Sequence, residues 1–275
     1  SISSNKSSKL SGQILVPGDK SISHRALIIG SMLTGKVKIK NLLESDDVIA
    51  TLEALKTLGI KINKKENIWE VVGNGIGNLS GSNHMLDMGN SGTGSRLLMG
   101  LIAGSDAEAT ITGDESLSKR PMMRIIKPLL RTGAFFKEPS NGNLPIKLRG
   151  SKIPLPIEYI SPVASAQIKS SILLAGLSST GNTTVIEPTL SRDHTERMLK
   201  YLGANISTTQ LPSSYWKITL EGLPMLKPLD IEIPSDPSSA AFPIVASIIT
   251  PNSKIKIFNV CINNLRMGLY ESLID

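Results

Sequence analysis

The feature that most restricts the fold is internal repetition. One supersecondary unit recurs along the chain about every 70 residues. Each unit opens with a loop of small residues that feeds an apolar helix rich in Ala, Leu, Ile and Met, expected at residues 25–33, 96–103, 170–177 and 240–249. A turn follows at Gly35, Gly104, Gly181 and Pro251, then a short β-patterned strand at residues 36–40, 109–112, 183–187 and 253–258. A polar loop and a second, amphipathic helix complete the unit at residues 46–58, 120–130 and 192–202. Gly59, Gly133 and Gly203 stop these helices, as left-handed C-terminal caps do.

The fourth unit opens on schedule at residues 234–239, but Asp275 falls inside its second helix, before any closing glycine. Further sequence, including further repeats, is therefore expected beyond it. Three complete units predict an α/β domain over residues 19–232, with helices buried between sheets and polar loops gathered at one end. Residues 1–18 with 233–275 are expected to form an incomplete second domain. Glycines 73, 75 and 77 could pass for a nucleotide loop, but no βαβ pattern follows them and a plain turn accounts for them.

Charge narrows the class of partner. The chain carries a net charge of +7, so it should attract anions. No block of five or six like charges occurs and aromatic residues make up only 4%, too few for base-stacking platforms, so small anions are favoured over nucleic acid. No stretch reaches transmembrane length and the first ten residues lack the apolar core of a secretory signal, so a cytoplasmic protein with no membrane partner is the expectation, with a removed organellar leader as the alternative. Cys261, the only cysteine, excludes an intramolecular disulfide and a thiolate cluster; its apolar surroundings suggest a buried thiol in a core strand. His24, His84 and His194 lack metal-ligand spacing, so neither a metal nor another cofactor is expected. A monomer is the default.

The loops that open the units combine small residues, a helix start and nearby cations. Backbone N–H groups and the helix dipole make such places receptive to phosphate or carboxylate. The first is Pro17-Gly18-Asp19-Lys20-Ser21-Ile22-Ser23-His24-Arg25, where Lys20 and Arg25 could hold an anion from two sides. Taken singly, these are surface charges and capping serines; together they read as a site. The second, Gly89-Asn90-Ser91-Gly92-Thr93-Gly94-Ser95-Arg96, has the glycine spacing of a P-loop but lacks its Lys-Ser/Thr ending. Its glycines still let backbone approach an oxyanion, and the plainer alternative is a turn before a core helix. Downstream, Lys119 and Arg120 precede Pro121 at the expected start of the same unit's second helix, where arginine could fork onto a carboxylate or phosphate. The third loop places Ser165, Ala166, Gln167 and Lys169 ahead of Arg192-Asp193-His194-Thr195-Glu196. Serine and glutamine suit hydroxyl groups and the cations suit phosphate; the alternative is two helix starts with acids in the first turn.

Together, Pro-Gly-Asp-Lys-Ser-Ile-Ser-His-Arg, Gly-Asn-Ser-Gly-Thr, Lys-Arg-Pro-Met and Ser-Ala-Gln resemble the signature segments of 5-enolpyruvylshikimate-3-phosphate (EPSP) synthases, and the Arg-Asp-His-Thr-Glu run resembles their class II branch. The resemblance implies a two-domain inside-out α/β barrel of repeated βαβαββ-type units, three per domain, with the second incomplete here. It implies that Lys20, Ser21, Arg25, Ser165, Ala166, Gln167 and Arg192 bind shikimate 3-phosphate. Phosphoenolpyruvate would meet Lys20, Asn90, Gly92, Thr93 and Arg120.

The implied reaction is addition of the 5-hydroxyl to protonated phosphoenolpyruvate, a tetrahedral adduct, and loss of phosphate. Lys20 would be the catalytic group present here. The main acid and base groups, an aspartate, a lysine and a glutamate of the family's C-terminal domain, are expected outside residues 1–275, so this chain alone should not turn over. Glyphosate-tolerant class II enzymes commonly carry alanine where Gly92 stands, which implies a glyphosate-sensitive parent enzyme. Two alternatives stay open: a UDP-N-acetylglucosamine enolpyruvyl transferase, of similar architecture but usually with a reactive loop cysteine, and a non-catalytic basic anion-binding module.

Overall fold

A computed structural model describes residue 3 and residues 8–81, 83–137 and 142–274. The remaining terminal residues assigned above to the second domain, Asp275 among them, lie outside the described residues. β1 (Ser11–Ile14) precedes the repeats. The first unit contains α1 (Lys20–Ser31), β2 (Thr34–Lys40), α2 (Asp46–Thr57), β3 (Lys61–Lys65) and β4 (Ile68–Asn74). The second contains β5 (His84–Asp87), α3 (Gly92–Ala103), β6 (Glu108–Thr112), the single turn α4 (Glu115–Ser118), α5 (Met123–Leu130), β7 (Phe135–Lys137) and β8 (Ile146–Arg149). The third has β9 (Glu158–Ile160), α6 (Ala166–Gly176), β10 (Asn182–Glu187), α7 (His194–Tyr201), β11 (Ile206–Gln210) and β12 (Trp216–Glu221). After these come β13 (Ile231–Glu232), α8 (Pro237–Ile249), β14 (Lys254–Ile257), a 3-10 turn at Asn264–Arg266 and α9 (Gly268–Ile274).

The three four-stranded sheets share one plan. Their orders are β5-β6-β8-β7, β9-β10-β12-β11 and β13-β2-β4-β3, each with a parallel first pair followed by antiparallel pairs. In the first unit the opening strand is borrowed: β13, far along the chain, pairs with β2 in the register Ile231 to Ile39. β1 instead pairs parallel with β14, so the chain enters the three-unit body after β1 and leaves it after β13. The two crossings bond to each other, Asp19 N–H donating to Pro234 O and Asp236 N–H to Pro17 O, both at 2.8 Å.

The core lies around α1, α3 and α6, which are buried on nearly every side. A helix apolar all round has no solvent face to keep, and here even its polar positions, such as Ser23, Ser95, Ser170 and Ser171, are buried. α8 has the same apolar character but leaves Phe242, Ile248 and Ile249 exposed.

Several boundaries differ from the sequence reading. The core helices begin inside the small-residue segments, because Asp19, Ser91, Ser165 and Asp236 act as N-caps and accept from the amides of Ile22, Gly94, Ile168 and Ser238. The expected second-unit helix at residues 120–130 starts only at Met123, since Pro121 disfavours helical backbone at Arg120. Gly59, Gly133 and Gly203 do take left-handed conformations, with φ of 87°, 93° and 99°. Cys261 is buried but lies in a loop past β14, not in a strand, and its N–H donates to Ser235 O at 2.9 Å.

Candidate functional site

The N-terminal turns of α1, α3 and α6 point into one region, and the segment before α7 joins them. Ser21, Arg25, Thr93, Ser165, Ala166, Gln167 and Arg192 line a cavity of about 240 Å³. Among the described residues no carboxylate lines it, while two guanidiniums do, so the cavity suits an anion.

Arg25 is buried and each of its three nitrogens donates, which leaves one of its five N–H groups, on Nη2, without a partner among the described residues. Its Nε donates to Thr195 Oγ1 at 2.7 Å, Nη1 to Ser21 O at 3.0 Å and to Ser21 Oγ at 2.8 Å, and Nη2 to Ser170 Oγ at 2.8 Å. These bonds lock the guanidinium plane. Ser21, having accepted from Arg25, keeps its own O–H to give to a ligand. Burial lowers the Arg25 pKa to about 10, so it remains charged at neutral pH. Arg192 makes no side-chain hydrogen bond among the described residues, and burial is the first cause of its lowered pKa.

Gln167 joins this cavity to a second cluster. Its Oε1 accepts from Arg96 Nη1 at 2.7 Å and its Nε2 donates to Thr93 Oγ1 at 3.1 Å, which fixes the amide's orientation. Beyond Arg96 stands Gly92, whose missing side chain leaves room for Arg120 Nη1 and Arg96 Nη1, 2.8 and 3.4 Å from where a Cβ would sit. Arg120 donates through Nη2 to Asn90 Oδ1, and Asn90 Nδ2 donates to Asp114 Oδ2 at 2.7 Å. The Arg96 pKa falls to about 10 because of burial first and then the charges of Arg124 and Arg120. A buried arginine in the field of two others favours a multiply charged anion.

Lys20 stands apart from both groups. It pairs with Asp47 of α2 and keeps nearly half its side chain in solvent. Lys169, read from sequence as a charge for a ligand, is instead fully buried and bonded to Glu187 and Glu196 at 2.7 Å each. Glu196 does lie in the first turn of α7, as expected, and also serves that ion pair; its carboxyl is pushed up chiefly by burial. His194 is buried with neither ring nitrogen bonded, and burial together with Arg25 and Arg192 lowers its pKa to about 3, so it is neutral.

Sequence reasoning did not single out Arg96, Arg124 or Thr195. The repeat held the signal for the first: α1, α3 and α6 each carry a cation at their fourth to sixth residue, Arg25, Arg96 and Lys169, with Lys20 as an additional one at the start of α1. Thr195 and Arg124 become visible only when α7 and α5 pack beside those turns.

The chain has clear relatives. The profile of EPSP synthase (3-phosphoshikimate 1-carboxyvinyltransferase) matches residues 4–275. A 3-phosphoshikimate 1-carboxyvinyltransferase of Parvibaculum lavamentivorans is 51% identical across 100% of this chain and 61% of that protein. One from Rhodospirillum rubrum is 49% identical across 98% of the chain and 60% of its own length. Among solved structures, an EPSP synthase from Acinetobacter baumannii superposes with a TM-score of 0.87 and 41% identity, covering 96% of this chain and 58% of that one. The chain thus spans about 60% of the curated relatives it matches.

Proposed function

Since this chain belongs to the EPSP synthase family, we propose that the 240 Å³ cavity binds shikimate 3-phosphate and that the adjoining arginine cluster binds phosphoenolpyruvate. In the whole protein the enolpyruvyl group passes to the 5-hydroxyl of the first, releasing phosphate. The single observation that carries this reading is the Thr93–Gln167–Arg96 chain of hydrogen bonds, which gives two anion sites a common wall. Two substrates that must react with each other need such adjacency.

Arg25, Arg192 and Ser21 would take the acceptor's phosphate, and Ser165, Ala166 and Gln167 its ring face. Asn90, Gly92, Thr93, Arg120 and Arg96 would hold phosphoenolpyruvate. Lys20 would exchange Asp47 for substrate, a change of partner that its exposure permits. Fixed cations at the place where charge develops stabilise the adduct without reorganisation. We also propose residues 19–232 as one domain and residues 1–18 with 233–275 as part of a second, on the support of β1 pairing with β14 and of the two crossings at Gly18 and Ser235.

A UDP-N-acetylglucosamine enolpyruvyl transferase gains little support. Cys261 does lie in a loop, but it lines neither the cavity nor the arginine cluster. Calorimetric titration with shikimate 3-phosphate tests the reading. Heat in the parent chain, weakened about tenfold or more in Arg192→Ala, is the expected result for loss of one charge-assisted contact. A folded parent that takes up UDP-N-acetylglucosamine and not shikimate 3-phosphate would overturn it.

A further inference from the structure

The two crossings between the three-unit body and the β1–β14 segment lie side by side, and each ends in an aspartate that caps a helix. Asp19 Oδ1 accepts from Ile22 N at the start of α1, and Asp236 Oδ1 from Ser238 N at the start of α8, at 2.8 and 2.9 Å. Both aspartates also bind Arg266 of the 3-10 turn. Its Nη1 donates to Asp19 Oδ2, and its Nη2 donates to Asp236 Oδ1 at 3.2 Å and to Ser238 Oγ at 2.6 Å. Asp19 is fully buried and the Arg266 side chain only 11% exposed.

The same turn reaches the other wall of the cavity. Asn263 Nδ2 donates to Asp193 Oδ1 at 2.7 Å, and Asp193 adjoins Arg192. Arg192 stands in the field of Arg266, Asp19 and Asp236. Two guanidiniums and two carboxylates balance, and because Arg266 serves both carboxylates, Arg192 keeps its donors for the cavity it lines.

We propose that Arg266 is a positioning residue: by clamping Asp19 and Asp236 it sets the first two turns of α1, which bear Lys20, Ser21 and Arg25, and leaves Arg192 free to meet an anion. It need not touch substrate. With Arg266 gone, two buried carboxylates would face Arg192 as the remaining guanidinium in their field and draw it from the cavity, since a buried charge left unpaired seeks a partner. The inference rests on the reading of that cavity as the acceptor site.

The test compares the parent, Arg266→Gln, Arg266→Lys and the double variant Asp236→Asn/Arg266→Gln, each shown by circular dichroism to be folded, in titrations with shikimate 3-phosphate. Asn still caps α8 while removing one carboxylate charge together with the guanidinium. Arg266→Gln should weaken binding about tenfold or more, and both other variants should recover most of it, as charge balance requires. Parent-like binding in Arg266→Gln, or equally poor binding in all three variants, overturns the proposal. If the parent itself binds no shikimate 3-phosphate, the acceptor reading fails, and amide hydrogen exchange over residues 20–25 then decides the clamp. Exchange about tenfold faster in Arg266→Gln and restored in the double variant supports it; unchanged exchange overturns it.

Discussion

At Gly92 one methyl group separates two geometries. A Cβ there would lie 2.8 Å from Arg120 Nη1, closer than a side-chain end accepts without moving, and 3.4 Å from Arg96 Nη1, close to ordinary contact. Arg120 ends a long, solvent-facing side chain that can shift, so Gly92→Ala should fold, with Arg120 withdrawing from Asn90. Phosphoenolpyruvate binding, measured by titration in the presence of shikimate 3-phosphate, should weaken roughly tenfold for one displaced charge-assisted contact. Inhibition of the whole enzyme by glyphosate should weaken as well, and equal resistance in parent and variant would refute the crowding argument. At this scale the nearness of Ser21 and Arg25 was legible because they lie four residues apart on a helix with one cap, whereas Lys20 beside them faces Asp47. Asp47 as the partner of Lys20, and Thr195 as the partner of Arg25, were not, because contacts between units depend on how helices pack and leave no local spacing to read.

Among elements, the repeats proved legible in kind and order, while helix starts were misplaced because the cap residues were read as loop. The same repetition hides a second set of glycines. Gly73, Gly150 and Gly222 close the final strand of each unit against the end of its core helix, where an added Cβ would lie within 2.2 Å of backbone oxygen in every case. At Gly150 the nearest are Ile102 O at 1.9 Å and Ser105 O at 2.1 Å, and backbone cannot yield as a side chain does. Gly150→Ala should therefore cost about 3 kcal/mol of stability, read from urea midpoints, by forcing strand and helix apart; a cost within 0.5 kcal/mol, the ordinary range for a surface change, would contradict the packing. Lys169 ties α6 to β10 and α7 through two buried carboxylates. Lys169→Met strands both, and a loss of roughly 3–5 kcal/mol is expected at neutral pH. That loss should shrink on acidification, because protonation removes the stranded charges. A loss independent of pH would point to packing alone.

For the molecule as a whole, the sequence reading named three-unit repetition and an anion-binding end, but could not foresee that β13 completes the first unit's sheet from nearly 200 residues away, since a two-residue strand has no pattern of its own. Nor could it tell that two histidines would be folded in as neutral groups. His24 is fully buried, its Nδ1 2.9 Å from Thr51 Oγ1, and burial followed by the charges of Arg25 and Lys20 lowers its pKa to about 3. His194 is lowered to about 3 as well. Both values lie below the ordinary 6.5, so on acidification the unfolded chain takes up protons before the folded one. Their stabilising effect is complete above pH 6.5 and is lost as pH falls towards 3. Each histidine should remove about 2 kcal/mol between pH 7 and pH 5 by this linkage. Glu196 and Asp19, whose carboxyls are raised chiefly by burial, act in the opposite sense, because the folded state protonates them first. Substitution separates the two contributions: in His24→Gln the fall in urea midpoint from pH 7 to pH 5 should be about half that of the parent, and in His24→Gln/His194→Gln it should vanish or reverse. A pH dependence that His24→Gln/His194→Gln leaves the same as in the parent would mean that the folded chain admits protons to these rings, and that the packing of α1 against α7 is looser than the buried contacts of Arg25 require.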